Sequence, residues 1–313
     1  MAMAANSTTG STTGSITGGI VTWQVVTGSA RGATHRVSGL PNQDAVASHD
    51  GPGGVVVAIA DGHGHVRHFR SADGAALAVG VACRVASEAA AGLASDDTDD
   101  QEAERAGQEL ARAVVADWRS AVAGQLEARP YTVEEQFILD RSADTPVIPY
   151  GATLLVALIT ARWLVCAQIG DGDMLAVRPD GASFSPVAGD DRLDGRRTTS
   201  LCQPDALASF RIGVHDLRRV PLAALLLATD GYGNAQADEP WQPRVGRDLA
   251  ELAACQDRHW FGQEVPGWAR RCASAEGSGD DATIALLLPG AGQDSGTPDA
   301  EEGAGRGQRP WTG

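Results

Sequence analysis

Four aspartates share one local grammar: each adjoins a short apolar run and has glycine beside or near it. They are Asp61 in VVVAIADGHG, Asp171 in VCAQIGDGD, Asp230 in LLLATDGYG and Asp280 in GSGDDATIALLL. Asp44, in PNQDA, stands just ahead of a further strand. A carboxylate at a strand end, with glycine giving the turn freedom to swing, is how sheet proteins aim hard oxygen ligands at one point. Asp-Gly is also a frequent turn dipeptide, so any one of these reads equally as a turn. Five converging carboxylates would repel one another unless cations neutralised them. Oxygen ligands favour Mg or Mn over zinc, which prefers His and Cys. The residues therefore read as a site for one or more hard divalent ions.

Such a site needs elements to hold it. Short runs rich in Val, Ile and Leu, bounded by Gly, Pro or Asp, predict strands over 20–26, 55–60, 153–159, 163–169, 174–178, 223–229 and 283–288. Several are continuously apolar rather than alternating, which predicts strands covered on both faces. Ala-rich stretches with apolar residues three and four apart predict helices over 71–93, 101–126, 247–256 and 265–275. The acidic run from Ser95 to Glu104 lacks the spacing of a calcium loop and reads as a solvated linker between two helices. Residues 1–19 and 290–313 are polar and Gly-rich and are expected to be disordered tails around one domain over 20–289.

The chain has 313 residues and a formal charge of −15, so nucleic acid is an unfavourable partner. Hydrophobic residues make up 43% and charged residues 21%, a globular mixture that excludes a wholly disordered chain. The longest apolar runs, such as Leu154–Ile159, are too short to cross a bilayer, so no membrane span is expected. The first residues have neither a basic nor an apolar signal region, and the expectation is a cytoplasmic protein. Five cysteines without C-x-x-C spacing argue against a disulfide framework and a zinc site. Every basic residue is Arg in a chain rich in Ala and Gly, a bias assigned to a GC-rich bacterial genome.

In order, the chain shows NQDA (42–45), ADGHG (60–64), GAT (151–153), GDGD (170–173), ATDG (228–231) and GDDAT (279–283). That succession resembles the PP2C, or PPM, family of metal-dependent protein serine/threonine phosphatases, particularly its bacterial branch, over nearly everything from Ile20 to Leu288. The resemblance implies an α+β fold: a four-layer αββα sandwich of two antiparallel sheets flanked by helix pairs. It also implies two Mn or Mg ions, with Asp61 bridging them and the Gly62 carbonyl on one. Asp44 would act directly or through water, Asp230 and Asp280 would complete the second ion's shell, and Asp171 matches a further, weaker position. Asp281 stands where the family usually has Asn.

The implied chemistry is in-line attack on phosphorus by a metal-bridging hydroxide, with His63 as the acid that protonates the departing serine or threonine oxygen. Read without the family, His63 in its Gly-flanked turn has no assigned role. The phosphate-binding arginine is where the chain departs from the pattern: Gly32 plus three is His35, and Gln43 replaces the usual acidic residue. Arg36 is the nearest substitute and Arg31 the next, so Arg36, Arg31 and His35 are the expected phosphate contacts. His65 and His68 are placed near the mouth of the site, and the stretch from Pro179 to Cys202, with Asp190, Asp191, Arg196 and Arg197, matches a variable flap. Trp260 and Trp268 read as packing residues. The implied partner is a phosphorylated protein, in opposition to a Ser/Thr kinase, with the enzyme a monomer. A pseudophosphatase serving as a binding module, and a small-molecule phosphohydrolase, are the alternatives.

Overall fold

The computed structural model describes residues 22–142, 145–193, 198–237 and 240–290. The tails expected over 1–19 and 290–313 therefore lie outside the described residues, save Gly290, as do Arg196 and Arg197 of the flap.

The continuous apolar runs become strands buried on both faces. In β3 (Gly54–Ala60), Val56, Ala58 and Ala60 turn one way and Val55, Val57 and Ile59 the other; β4 (Leu154–Ile159) divides in the same manner. One sheet has the order β2–β3–β4–β5–β8, with β2 at Ala45–Gly51, β5 at Trp163–Ile169 and β8 at Arg211–Asp216. The other has the order β1–β10–β9–β6–β7, with β1 at Trp23–Ala30, β6 at Asp173–Val177, β7 at Ser183–Phe184, β9 at Ala224–Ala228 and β10 at Ala282–Pro289. Among the described residues, the pairings between neighbouring strands are antiparallel.

Between the sheets lies an apolar layer that includes Val57, Ile59, Leu155, Leu164, Met174, Leu225, Leu227 and Leu287. On the outer face of the first sheet pack α2 (Ser71–Ala90) and α3 (Asp100–Ala128). On the outer face of the second pack α7 (Gln242–Cys255) and α8 (Arg258–Cys272). Shorter helices are α1 (Ala33–Ser38), α4 (Val133–Ser142), α5 (Ala206–Ser209) and α6 (Asp230–Gly233). The expected four-layer αββα sandwich is what forms.

Local chemistry sets the helix ends. Asp99 accepts the Glu102 N–H at 2.8 Å while Glu102 accepts the Asp99 N–H at 3.2 Å, a capping box that starts α3. The acidic run before α3 is thus partly consumed structurally, and Arg218 and Arg219 pair with Asp96 and Asp100. α8 begins at Arg258, earlier than the spacing predicts, because Asp257 caps it by accepting the Trp260 N–H at 2.8 Å. The segment Ser71–Leu93 has the length and composition to cross a bilayer, a longer apolar stretch than the sequence reading singled out. In the fold its Ala75, Ala78, Ala82 and Ala86 are fully buried against the first sheet.

Candidate active site

Register brings the acidic turns to one edge. Ala60 at the end of β3 pairs with Ala45 at the start of β2, and Leu154 at the start of β4 pairs with Ile169 at the end of β5. In the other sheet Ala228 at the end of β9 pairs with both Ile284 of β10 and Asp173 of β6. Asp44, Asp61 and Asp171 adjoin the first set of strand ends, and Asp230 and Asp280 adjoin the second. Both sheets therefore deliver carboxylates to one seam. There a cleft of about 570 Å³ is lined by Asp61, Gly62, His63, Asp171, Asp230 and Asp280, together with His35, His65, Arg67 and His68. A larger hollow of about 650 Å³, at the opposite end of the second sheet beside Ala223 and Leu288, contains none of these carboxylates.

Asp44 sits behind the cleft. Its Oδ2 accepts from the Thr229 hydroxyl at 2.8 Å, and Thr229 Oγ1 in turn accepts the Thr283 N–H at 2.9 Å. Asp44 Oδ1 is buried and has no hydrogen-bond partner. The Asp61 N–H donates to Thr153 Oγ1 at 3.1 Å and its carbonyl accepts the Thr153 N–H at 2.8 Å, which ties the ADGHG turn to the GAT strand. A Cβ at Gly62 would come within 2.7 Å of the Gln43 carbonyl oxygen and 2.8 Å of Ser71, so this close approach needs glycine. Thr198 donates to Asp171 Oδ1 at 2.8 Å.

Electrostatics mark the seam. Burial pushes the Asp44 carboxyl up to about 7, with Asp281 and Asp230 adding to the rise against the opposing threonine hydrogen bonds. Burial, then Asp171 and Asp280, raise Asp230 to about 6. Asp61 is driven well above the carboxylate range, first by burial and then by Asp44, Asp230, Asp280 and Asp171 together. Crowded acids and an orphaned buried oxygen are the donor set of a hard cation site, and the residues present fit divalent ions.

Asp281 has a separate task. Its Oδ1 accepts the Gly32 N–H at 2.6 Å, and its Oδ2 accepts the Gln43 N–H at 2.6 Å and meets His35 Nδ1 at 2.9 Å. One buried carboxylate thus knits the loop before α1, the NQD turn and His35 together. His35 Nε2 lies 3.7 Å from where a Cβ on Gly64 would stand, beside the ADGHG turn. Ligand atoms of His35, Asp280 and Asp281 lie within 4.8 Å of one another.

Not every expected residue arrives. Arg31 and Arg36 are not among the residues lining the cleft. Arg31 donates to the His35 carbonyl at 2.8 Å, and Arg36 donates to the Arg31 and Ala273 carbonyls. The physical reason is that carbonyl acceptors lie beside both guanidinium groups: His35 in α1 for Arg31, and Arg31 ahead of α1 and Ala273 after α8 for Arg36. His35 does reach the cleft, and so does Arg67, which the sequence reading did not single out. The signal for Arg67 was its place four residues after His63. His65 and His68 lie at the mouth as expected, with the His63 and His68 ring centroids 4.9 Å apart. Burial and His68 hold the His63 imidazole down at about 3.

Two β-sheets packed face to face between helix pairs are an architecture this chain shares with several solved structures. A bacterial serine phosphatase superposes with a TM-score of 0.56 at 14% identity, over 86% of this chain and 98% of that one. The serine/threonine phosphatase Stp1 from Staphylococcus aureus gives 0.56 at 15% identity, over 87% and 96%. PppA of Pseudomonas aeruginosa gives 0.53 at 15%, over 86% and 99%. At these identities the likeness establishes the fold. No curated protein matches the chain in sequence. A family model for protein phosphatase 2C matches residues 31–268, and the chain belongs to that family. It is by that membership a phosphoprotein phosphatase, a hydrolase of phosphoric monoesters.

Proposed function

We propose that the chain dephosphorylates phosphoserine and phosphothreonine in proteins and depends on Mn or Mg to do so. The observation that carries this reading is the gathering of five carboxylates from both sheets, with Asp44 Oδ1 unpartnered and the Asp61 carboxyl held well above the carboxylate range by burial and then by its acidic neighbours. Asp61, the Gly62 carbonyl, Asp44, Asp230 and Asp280 would hold two ions, and Asp171 a third, weaker one. Bound there, divalent ions supply an acidified water as nucleophile and positive charge opposite the phosphoryl oxygens.

The chain's own groups do the rest. His63, one turn position beyond Gly62, is the proton donor to the departing oxygen. With only the protein's groups around it the ring is neutral at physiological pH, because burial and His68 disfavour the cation. A phosphoryl dianion beside it opposes that shift, so protonation of His63 is coupled to substrate binding. His35, turned by Asp281, and Arg67 supply donors to the phosphoryl group in place of Arg31 and Arg36. The partner is a phosphoprotein made by a Ser/Thr kinase, and the working form is a cytoplasmic monomer.

A second reading is favoured by one observation. With Arg31 and Arg36 both donating to backbone carbonyls, the chain also suits a pseudophosphatase that binds phosphoprotein and turns over slowly. Hydrolysis of a phosphothreonine peptide in Mn, in Mg and in excess chelator separates the two. Metal-dependent turnover that Asp230→Asn abolishes supports the enzyme; folded protein without turnover in either metal supports the binding module.

A further inference from the structure

Arg70 lies just past a single 3-10 turn (Val66–His68), at the start of α2, and is 4% exposed. A buried guanidinium is costly unless all five N–H groups find acceptors. Here all five do. Nε and Nη2 grip the two oxygens of Glu135 at 2.9 and 2.7 Å. Nη2 also donates to the Pro130 carbonyl at 3.0 Å. Nη1 donates to the Arg129 carbonyl at 2.7 Å and to the Tyr150 hydroxyl at 2.8 Å. The group lies 4.5 Å from the centroid of the Tyr131 ring, and the Arg70 N–H donates to the Pro149 carbonyl at 2.9 Å.

One side chain therefore fastens the end of α3, helix α4 and the Pro149–Tyr150 turn to the start of α2. The turn it fastens is the one that holds the histidines. The Gly151 carbonyl accepts the His63 N–H at 3.1 Å, and the Ile148 carbonyl accepts from His68 Nδ1 at 2.6 Å. The fit is tight: a Cβ on Gly151 would lie 2.5 Å from His68 Nδ1 and 2.7 Å from His63 Cδ2. Residues 148–151 therefore hold the His63 backbone and the His68 ring by hydrogen bonds and stand close against both rings.

We propose that Arg70 is a positioning residue for His63, acting through Tyr150 and the carbonyls of Ile148 and Gly151. This rests on the reading of His63 as proton donor to the leaving oxygen. Glu135 belongs to the same device: it accepts the Thr132 N–H at 2.9 Å at the start of α4, so the helix and the clamp share one carboxylate.

Leaving-group dependence tests the proposal, since an alkoxide needs a proton donor and nitrophenolate scarcely does. The full chain with Mn is assayed on a phosphothreonine peptide and on p-nitrophenyl phosphate. Arg70→Lys keeps the charge but not the five-donor geometry, and Tyr150→Phe removes one hydroxyl without changing volume. Both are checked for unchanged Mn affinity and cooperative melting. The ratio of peptide kcat to p-nitrophenyl phosphate kcat should fall about 10-fold or more in each, part of the 10²- to 10⁴-fold that general acid catalysis provides. In a His63→Ala background neither substitution should lower the ratio further. A ratio unchanged in Tyr150→Phe and Arg70→Lys, or losses that add to those of His63→Ala, would overturn the role of Arg70 alone. A ratio unchanged in His63→Ala itself would overturn the proton-donor reading, and the role of Arg70 with it.

Discussion

The Thr229 hydroxyl donates to Asp44 Oδ2 at 2.8 Å, and this one contact crosses from the second sheet to the first. Thr229 is fully buried and follows β9; Asp44 precedes β2. Because Thr229 Oγ1 also accepts the Thr283 N–H, the hydroxyl's single proton is directed at Asp44. Its orientation is fixed by the β10 backbone. Thr229→Val keeps the shape and removes the donor. Support of this kind is worth about 10- to 100-fold in metal affinity, and titration calorimetry with Mn should show a loss in that range with the melting transition still cooperative.

Asp61→Asn and Asp230→Asn should each abolish Mn binding and peptide hydrolysis. The same variants should melt at a higher temperature than the parent in chelator, because each removes a carboxylate that burial and like charges disfavour. A parent that is less stable yet active is the expected trade between stability and function. Unchanged turnover in either variant would refute the site.

Stability of the metal-free chain should fall as pH rises. Asp44 and Asp230 have folded-state pKa values raised from 3.8 to about 7 and about 6. Between pH 4 and those values the folded chain binds more protons than the unfolded one, so unfolding becomes easier with each step upward. The melting temperature in chelator should therefore decline from about pH 4 toward pH 8, most steeply around pH 6 to 7, and Mn should reverse the decline. A rise over that interval would contradict it.

Phosphate recognition should depend on His35 more than on either arginine expected from the sequence. A hydrogen bond to a charged group is worth about 1.5–3 kcal/mol, so His35→Ala should raise KM for the phosphopeptide roughly 10- to 100-fold. Arg36→Ala and Arg31→Ala should change it by less than about threefold, because their guanidinium groups serve backbone carbonyls. A larger effect from Arg36→Ala would restore the sequence-based assignment.

The core of the fold was legible wherever burial was complete. β3, β4, β5 and β9 are apolar on both faces, and the runs that predict them match the strands within a residue or so. β2 and β8 were missed because both are sheet-edge strands with incomplete burial: Ser48, His49 and Asp50 are exposed in one, and Arg211 and His215 are half-buried in the other. α4 was missed for a related reason: Val133 and Phe137 are exposed, so no apolar stripe announces it. The acidic residues could be listed from glycine neighbours and strand ends, since the sheet register converts sequence order into position. The arginines could not, because a long side chain follows the nearest acceptor, and tertiary packing is what brings a carbonyl such as that of Ala273 beside Arg36. The Asp281–His35 pair was invisible for the same reason: its partners are 246 positions apart.

β10 is the last strand among the described residues, yet it lies inside its sheet between β1 and β9. A polypeptide still emerging from the ribosome has β1 made and nothing to set beside it, and it lacks Asp280, Asp281 and Thr283. The first strand must wait for the last before the seam closes. A chain cut before Ala282 is therefore expected to leave β1 without its partner strand and to show no turnover of a phosphothreonine peptide.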